Sequence, residues 1–345
     1  MKKQFILAVA AILGILIVGS MLLLIKSNTP GKDGLIQGKE LPALYTEGNQ
    51  IKRADSHESV RLKGVSTMIF NWNLPLNQKF LSVLEKIKTW NINLLGLYIT
   101  PQYIDSRTAD IDFMIDWAEK NRIYIYLMPV ESEEKNLTSQ LIRIPSDMGK
   151  LAERYRNRKN VLFGLWAEPN MRWEQWYPLA NGIAKEIKKS NPDAVILFSG
   201  AEFARIFDSS EQFPYSNVIY NFHEYRTEDI KGLSSALAEK VTFDWTQFSE
   251  QYPVLIGEFG GVWGTGFGEP EDLLFIQKIL DEANSNNISY TAYTMDDYPD
   301  ASVNKRWTGM GGLELINWET LEPTKKGQLI KDDLRNYPPT YFGNY

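Results

Sequence analysis

The chain opens with one long apolar run and then settles into an alternation of short apolar runs and amphipathic stretches. The first run, Phe5 to Ile25, carries no charge and is bounded by Lys2-Lys3 and Lys26. As a helix rising ~1.5 Å per residue it reaches roughly 32 Å, enough to cross the hydrocarbon core of a bilayer. A cleaved signal peptide is the competing reading, with an apolar region of about 7–15 residues and a small-x-small cleavage site. Here Met21-Leu22-Leu23-Leu24-Ile25 continues well past the small pair Gly19-Ser20. The pattern therefore predicts an N-terminal transmembrane helix over residues 1–26 that stays attached as a membrane anchor. Lys2, Lys3 and the α-amine outweigh the positive charge after the run, which keeps the N-terminus cytoplasmic and places the rest of the chain outside. Residues 27–40, including Asn28-Thr29-Pro30-Gly31, read as a turn-rich linker, and the folded domain is expected over 41–345.

Within that domain, apolar runs suited to strands buried on both faces lie at Arg61–Ile69, Ile92–Ile99, Ile123–Val130, Val161–Ala167, Ala194–Ser199, Val218–His223, Val254–Glu258 and Ser289–Met295. Helical periodicity fills the gaps at Asn77–Trp90, Ala109–Asn121, Ser139–Arg156, Trp173–Ser190, Thr227–Lys240 with Thr242–Gln251, and Glu271–Ser285. The connection Gly200–Asn217 is too short and polar for a full helix. Eight such repeats predict an α/β fold, a closed (β/α)8 TIM barrel. A doubly wound sheet is the alternative, but it would carry a glycine-rich phosphate loop after its first strand, where this chain has Gly64-Val65-Ser66-Thr67-Met68.

Composition narrows the chemistry. The 345 residues carry 37 Lys+Arg against 43 Asp+Glu, a net charge of −6 with no long basic run, so a nucleic-acid partner is not expected. The absence of cysteine removes disulfides, thiolate metal sites and a cysteine nucleophile. Two histidines, His57 and His223, leave little for a zinc site, and the acidic pair Asp296-Asp297 falls short of the 6–8 oxygens calcium takes. Neither a metal nor a cofactor is expected.

Two carboxylates stand out because each closes a predicted strand: Glu168 in Trp166-Ala167-Glu168-Pro169-Asn170, and Glu258 in Ile256-Gly257-Glu258-Phe259-Gly260. Strand C-termini of a barrel face its mouth, and a carboxylate pair there is what glycosidic-bond cleavage requires. His223 and Tyr225, two apart on the sixth strand, point to the same face. With Arg61-Leu62-Lys63-Gly64-Val65 in the first strand, these motifs resemble the cellulase-like glycoside hydrolases, family 5 of clan A, from about Leu41 to the C-terminus.

The resemblance implies a retaining double displacement on β-linked oligo- or polysaccharides. Glu258 would be the nucleophile and Glu168 the acid/base, held protonated by burial and by its partner's charge, while His223 and Tyr225 would bind sugar and Tyr225 would hydrogen-bond the nucleophile. Trp72, Trp263 and Trp307, in or near predicted strand-end loops, are candidates to stack on sugar rings, and Asp296 to bond sugar hydroxyls. The chain departs from the family pattern in places. Ala167 stands where an asparagine is usual, Gly96 where an arginine is usual, a histidine is missing after the third strand, and Met295 or Asp296 replaces a tryptophan. A transglycosylase using the same intermediate, or a catalytically impaired glycan-binding barrel, is the alternative these departures suggest.

Overall fold

The computed structural model describes residues 41–70, 73–131, 137–208, 213–226, 242–261, 270–296 and 314–340. The anchor expected at 1–26, the linker, the helix expected at Thr227–Lys240, and Trp72, Trp263 and Trp307 lie outside these residues. Among the described residues no helix is long and apolar enough to cross a membrane.

Two short antiparallel strands, β1 (Leu44–Glu47) and β2 (Gln50–Arg53), precede eight parallel strands. These are β3 (Lys63–Phe70), β4 (Leu94–Ile99), β5 (Tyr124–Pro129), β6 (Val161–Gly164), β7 (Ile196–Ser199), β8 (Val218–Tyr225), β9 (Val254–Gly260) and β10 (Ser289–Ala292). Each pairs with the next, and β10 closes back on β3, so the sheet is the predicted closed barrel. The doubly wound alternative is excluded.

The strands carry apolar residues on both faces because both faces are covered. On β4 and β5, Leu94, Tyr98, Tyr124, Tyr126 and Met128 join the cluster inside the barrel, while the alternating Leu95, Leu97, Ile125 and Leu127 join the larger cluster beneath the helices. Helix α1 (Gln78–Lys88) begins where the Asn77 side chain accepts from the Phe80 N–H at 2.9 Å, and its stripe Phe80, Val83, Leu84 and Ile87 is buried. Helices α2 (Thr108–Lys120), α3 (Leu137–Arg154), α4 (Trp173–Ser190), α5 (Asp244–Phe248) and α6 (Pro270–Ser285) follow the expected positions. As expected, the described residues of the β7–β8 connection hold no full helix, only the single turn Ala201–Ala204.

Two elements were not expected. The β1–β2 hairpin carries Leu44 and Ile51 into the interior cluster with Tyr124, and the Tyr124 hydroxyl donates to Pro42 O at 2.6 Å, so this segment closes the barrel floor. A C-terminal helix, α7 (Lys325–Asn336), buries Ile330 and Leu334 together with Lys326 and Asp333. Its Thr324 cap accepts from Gly327 N at 3.1 Å. A Cβ on Gly327 would lie 1.7 Å from Leu315 O, so glycine is what allows the chain to pass there.

Candidate active site

The local folding of β8 and β9 brings His223 beside Glu258. The two strands pair Phe222 with Ile256 and then His223 with Glu258, so Gly257 is an extra residue that re-aims the strand after it. A Cβ on Gly257 would lie 2.0 Å from Asn221 Oδ1, which is why the extra residue has no side chain. Because side chains alternate, Asn221, His223 and Tyr225 share the inner face of β8.

Glu168 sits differently from expectation. Regular strand β6 ends at Gly164, short of the expected end at Ala167. The chain stays buried through Ala167 while its bonding changes sides: Leu165 N–H donates to Leu197 O of β7 at 3.1 Å, then Ala167 N–H to Pro129 O of β5 at 2.9 Å. A left-handed turn at Glu202 and Phe203 (φ 49° and 64°) buttresses the following loop, with Glu202 N–H donating to Met171 O and Phe203 N–H to Pro169 O, each at 3.2 Å. Such backbone is costly for residues with a Cβ, and the two bonds to the Glu168 loop help to hold it.

The expected groups converge at one mouth. His223 Nδ1 lies 2.8 Å from Glu168 Oε1 and 3.6 Å from Glu258 Oε1, and one ligand atom of each of the three residues lies within 4.8 Å of the others. The Tyr225 hydroxyl donates to Glu258 Oε2 at 2.8 Å. Burial was expected to act on Glu168, yet its side chain is 36% exposed and that of Glu258 is 7% exposed. Desolvation therefore falls on Glu258, whose pKa is pushed up to about 7; the charge of Glu168 raises it further, and His223, Tyr98 and Tyr225 pull it down. For His223 burial opposes the charged form, but Glu258 and Glu168 outweigh it and the net shift is upward. Asn221 Nδ2 is 3.1 Å from His223 Nε2, and the buried Asn221 Oδ1 has no partner. That arrangement suits a neutral His223; an amide turned end for end would let Oδ1 accept from a protonated one. Among the described residues Glu168, His223 and Glu258 also offer metal-ligand atoms together, although the hydrogen bond between the imidazole and Glu168 accounts for the same cluster.

Asp296 was expected to meet sugar. It is 3% exposed, and its oxygens accept from Thr67 Oγ1 at 2.6 Å, Met68 N–H at 2.5 Å and Thr294 Oγ1 at 2.7 Å. It braces the end of the barrel where β10 meets β3 instead of opening to a ligand. Met295 is likewise fully buried.

Sequence reasoning missed Lys326. Its ammonium reaches in from the first turn of α7 and donates to Tyr293 O and, at 3.3 Å, to Phe259 O, the residue after Glu258. Burial pushes its pKa down to about 7 against the charges of Glu258, Glu314 and Asp272. Tyr98 of β4 was missed too; it is fully buried, packed edge-on against Tyr126 and Tyr293, and it helps to hold the Glu258 pKa down. A lysine in a charged segment reads as solvated surface, and an aromatic in an apolar run reads as core.

A closed parallel barrel with two carboxylates and an imidazole gathered at its strand C-termini is an architecture that suits glycosidic-bond cleavage. A cellulase model, glycosyl hydrolase family 5, matches residues 53–299, and the chain belongs to that family. Similar solved structures include a β-glucanase from Saccharophagus degradans in complex with cellotetraose, 19% identical, covering 90% of this chain and 97% of that one with a TM-score of 0.70. The catalytic domain of an endoglucanase from Thermobifida fusca, also with cellotetraose, is 18% identical over 86% of this chain and 98% of its own, TM-score 0.64. The major endoglucanase of Xanthomonas campestris pv. campestris has a catalytic domain 16% identical over 85% and 99%, TM-score 0.67. No curated protein sequence matches the chain. The protein is thus an O-glycosyl hydrolase.

Proposed function

We propose that this hydrolase cleaves β-linked glucans by double displacement with retention of configuration. The observation that carries the reading is the approach of Glu168 and Glu258, with ligand atoms within 4.8 Å and His223 between them. Retaining enzymes hold their carboxyl groups about 5–5.5 Å apart, whereas inverting ones need roughly 6.5–9.5 Å to admit a water. In the first step a Glu258 oxygen bonds to the anomeric carbon as the glycosidic C–O bond breaks and Glu168 delivers its proton to the departing oxygen. In the second, Glu168 takes a proton from water, whose oxygen bonds to the anomeric carbon while Glu258 leaves as carboxylate. Attack requires ionised Glu258, so turnover falls as pH drops through about 7. The cellotetraose-bound neighbours support a β-glucan chain as the substrate class.

The test is Glu168→Ala assayed on a dinitrophenyl β-cellobioside, which departs without protonation. Azide should accelerate its turnover and give a glycosyl azide of the substrate's own configuration, because a small anion fills the vacated space. Product of inverted configuration, or no azide response in either glutamate variant, would remove the mechanism. The apolar run Phe5–Ile25 supports a second element, an anchor that keeps the barrel outside the cell at the membrane. Intact-mass measurement of the membrane-extracted protein should show the N-terminal segment retained; a new N-terminus between Gly19 and Leu35 would sink the anchor.

A further inference from the structure

Behind the two glutamates, the inner face of β8 carries a line of buried polar groups. Asn221 is the register partner of Ser199 on β7, and Ser199, Asn221 and His223 are all buried. Asn221 Nδ2 donates to Ser199 Oγ at 3.0 Å and lies 3.1 Å from His223 Nε2, while His223 Nδ1 lies 2.8 Å from Glu168 Oε1. The oxygen end of the amide rests against Gly257, where a Cβ would stand 2.0 Å from Asn221 Oδ1. Glu168 is thus the outer member of a line that begins at Ser199.

Counting hydrogens fixes the direction of this line. Nδ2 carries two hydrogens and has two partners, Ser199 Oγ and His223 Nε2, so both are used. Turning the amide end for end would press those hydrogens against the methylene of Gly257, which accepts nothing. A buried N–H without a partner is rarer than an under-satisfied carbonyl oxygen, so the amide keeps its nitrogen toward the ring. Nε2 therefore accepts, the single ring proton sits on Nδ1, and it is given to Glu168 Oε1. With Oε1 engaged as an acceptor, the proton that Glu168 delivers to the leaving group is carried by Oε2.

We propose that Asn221 is a positioning residue for the acid/base: by donating to Nε2 it holds His223 in the Nδ1–H form, and His223 in turn assigns the proton of Glu168 to Oε2. This rests on the reading of Glu168 as the acid. The imidazole is also faced by Glu258 Oε1 of β9 at 3.6 Å and by the charge of Arg205 in the β7–β8 connection. The two carboxylates draw a second proton onto the ring, and Arg205 opposes it. The Asn221 amide opposes it as well, because that proton would go to Nε2 and meet an N–H.

The chain has two histidines, so ring 15N spectra of the histidine-labelled full chain read this arrangement directly, with His57→Gln assigning the signals. At about pH 8 His223 should show a protonated Nδ1 and a bare Nε2. A bare Nδ1 with a protonated Nε2, or a doubly protonated ring, would overturn the proposal. Asn221→Asp offers Nε2 an acceptor in place of a donor, so the doubly protonated ring should persist to a pH about one unit higher than in the parent. A charged imidazole beside Glu168 favours the ionised carboxylate, which has no proton to give. In Asn221→Asp, kcat/KM should therefore fall about tenfold on a methylumbelliferyl β-cellobioside, yet less than about twofold on the dinitrophenyl β-cellobioside, which departs without protonation. Equal losses on the two substrates, or an unmoved ring titration, would reduce Asn221 to a packing role. The parent spectrum decides the matter even where the variant fails to fold. Failure of the azide test on Glu168→Ala would remove the acid and leave the tautomer standing, so the two readings fall separately.

Discussion

The barrel buries charge at both ends, and the two ends handle it in opposite ways. At the floor, Lys63 at the start of β3 is completely buried, with its ammonium 2.8 Å from Asp333 Oδ2, 2.8 Å from Asn284 Oδ1 and 2.7 Å from Tyr337 O. Asp333 also accepts from the Tyr290 hydroxyl at 2.6 Å and from Asn284 Nδ2 at 2.5 Å. One cation meets one anion and the remaining valences are filled. At the mouth, two carboxylates crowd one imidazole, Glu258 is desolvated with its pKa near 7, and an Asn221 oxygen is left orphaned. The floor is a closed account of charge that holds structure, while the mouth stores unfavourable electrostatics that a substrate can release.

That contrast makes opposite forecasts for the two ends. Lys63→Met should cost on the order of 3–5 kcal/mol in denaturant unfolding, since it strands a buried carboxylate. A loss below about 1 kcal/mol, the range of exposed pairs, would mean the floor cluster is not a structural ion pair. Glu258→Gln should raise stability at pH 8 by on the order of 2 kcal/mol while removing turnover. The sign follows from linkage. The folded pKa of Glu258, about 7, lies above its ordinary value of 4.5, so its favourable contribution is complete below about 4.5 and is lost as pH rises through 7. The advantage of the glutamine should therefore be absent near pH 4.5 and grow toward pH 8, with His223 sharing the titration. A constant gap in melting temperature across that range would contradict the account. The smallest expected change is Tyr290→Phe, about 1 kcal/mol for one of several bonds to Asp333, read as a shift in the unfolding midpoint at unchanged slope.

Most of the barrel was legible because strands covered on both faces leave continuous apolar runs, and all eight fell within a few residues of their predicted places. The β1–β2 hairpin was not, because its four-residue strands, Leu44–Glu47 and Gln50–Arg53, flank a polar turn and bury few side chains each. Helix α7 was hidden for a related reason. Its sequence, Lys-Lys-Gly-Gln-Leu-Ile-Lys-Asp-Asp-Leu-Arg-Asn, puts Lys326 and Asp333 on the buried face, so the apolar periodicity that announces a helix is broken by charges that turn out to be inside. At the site, Glu168, His223, Tyr225 and Glu258 could be found from strand-end placement. The extra residue at Gly257 could not, since a bulge is a property of two strands together. Asp296 was misjudged because an acid after a strand reads as a ligand, while here backbone and threonine donors consume it.

Helix α7 supplies both ends of the barrel, Lys326 to the carbonyls near Glu258 and Asp333 to Lys63, across about 10 Å of helix. Both contacts come from one helix that follows all eight barrel strands in sequence. Without it Lys63 would lose its carboxylate partner at the floor, and the carbonyls of Tyr293 and Phe259 would lose their ammonium donor at the mouth. The two ends of the barrel are therefore tied through one helix, so that loosening its packing would disturb the buried ion pair at the floor and the surroundings of Glu258 together.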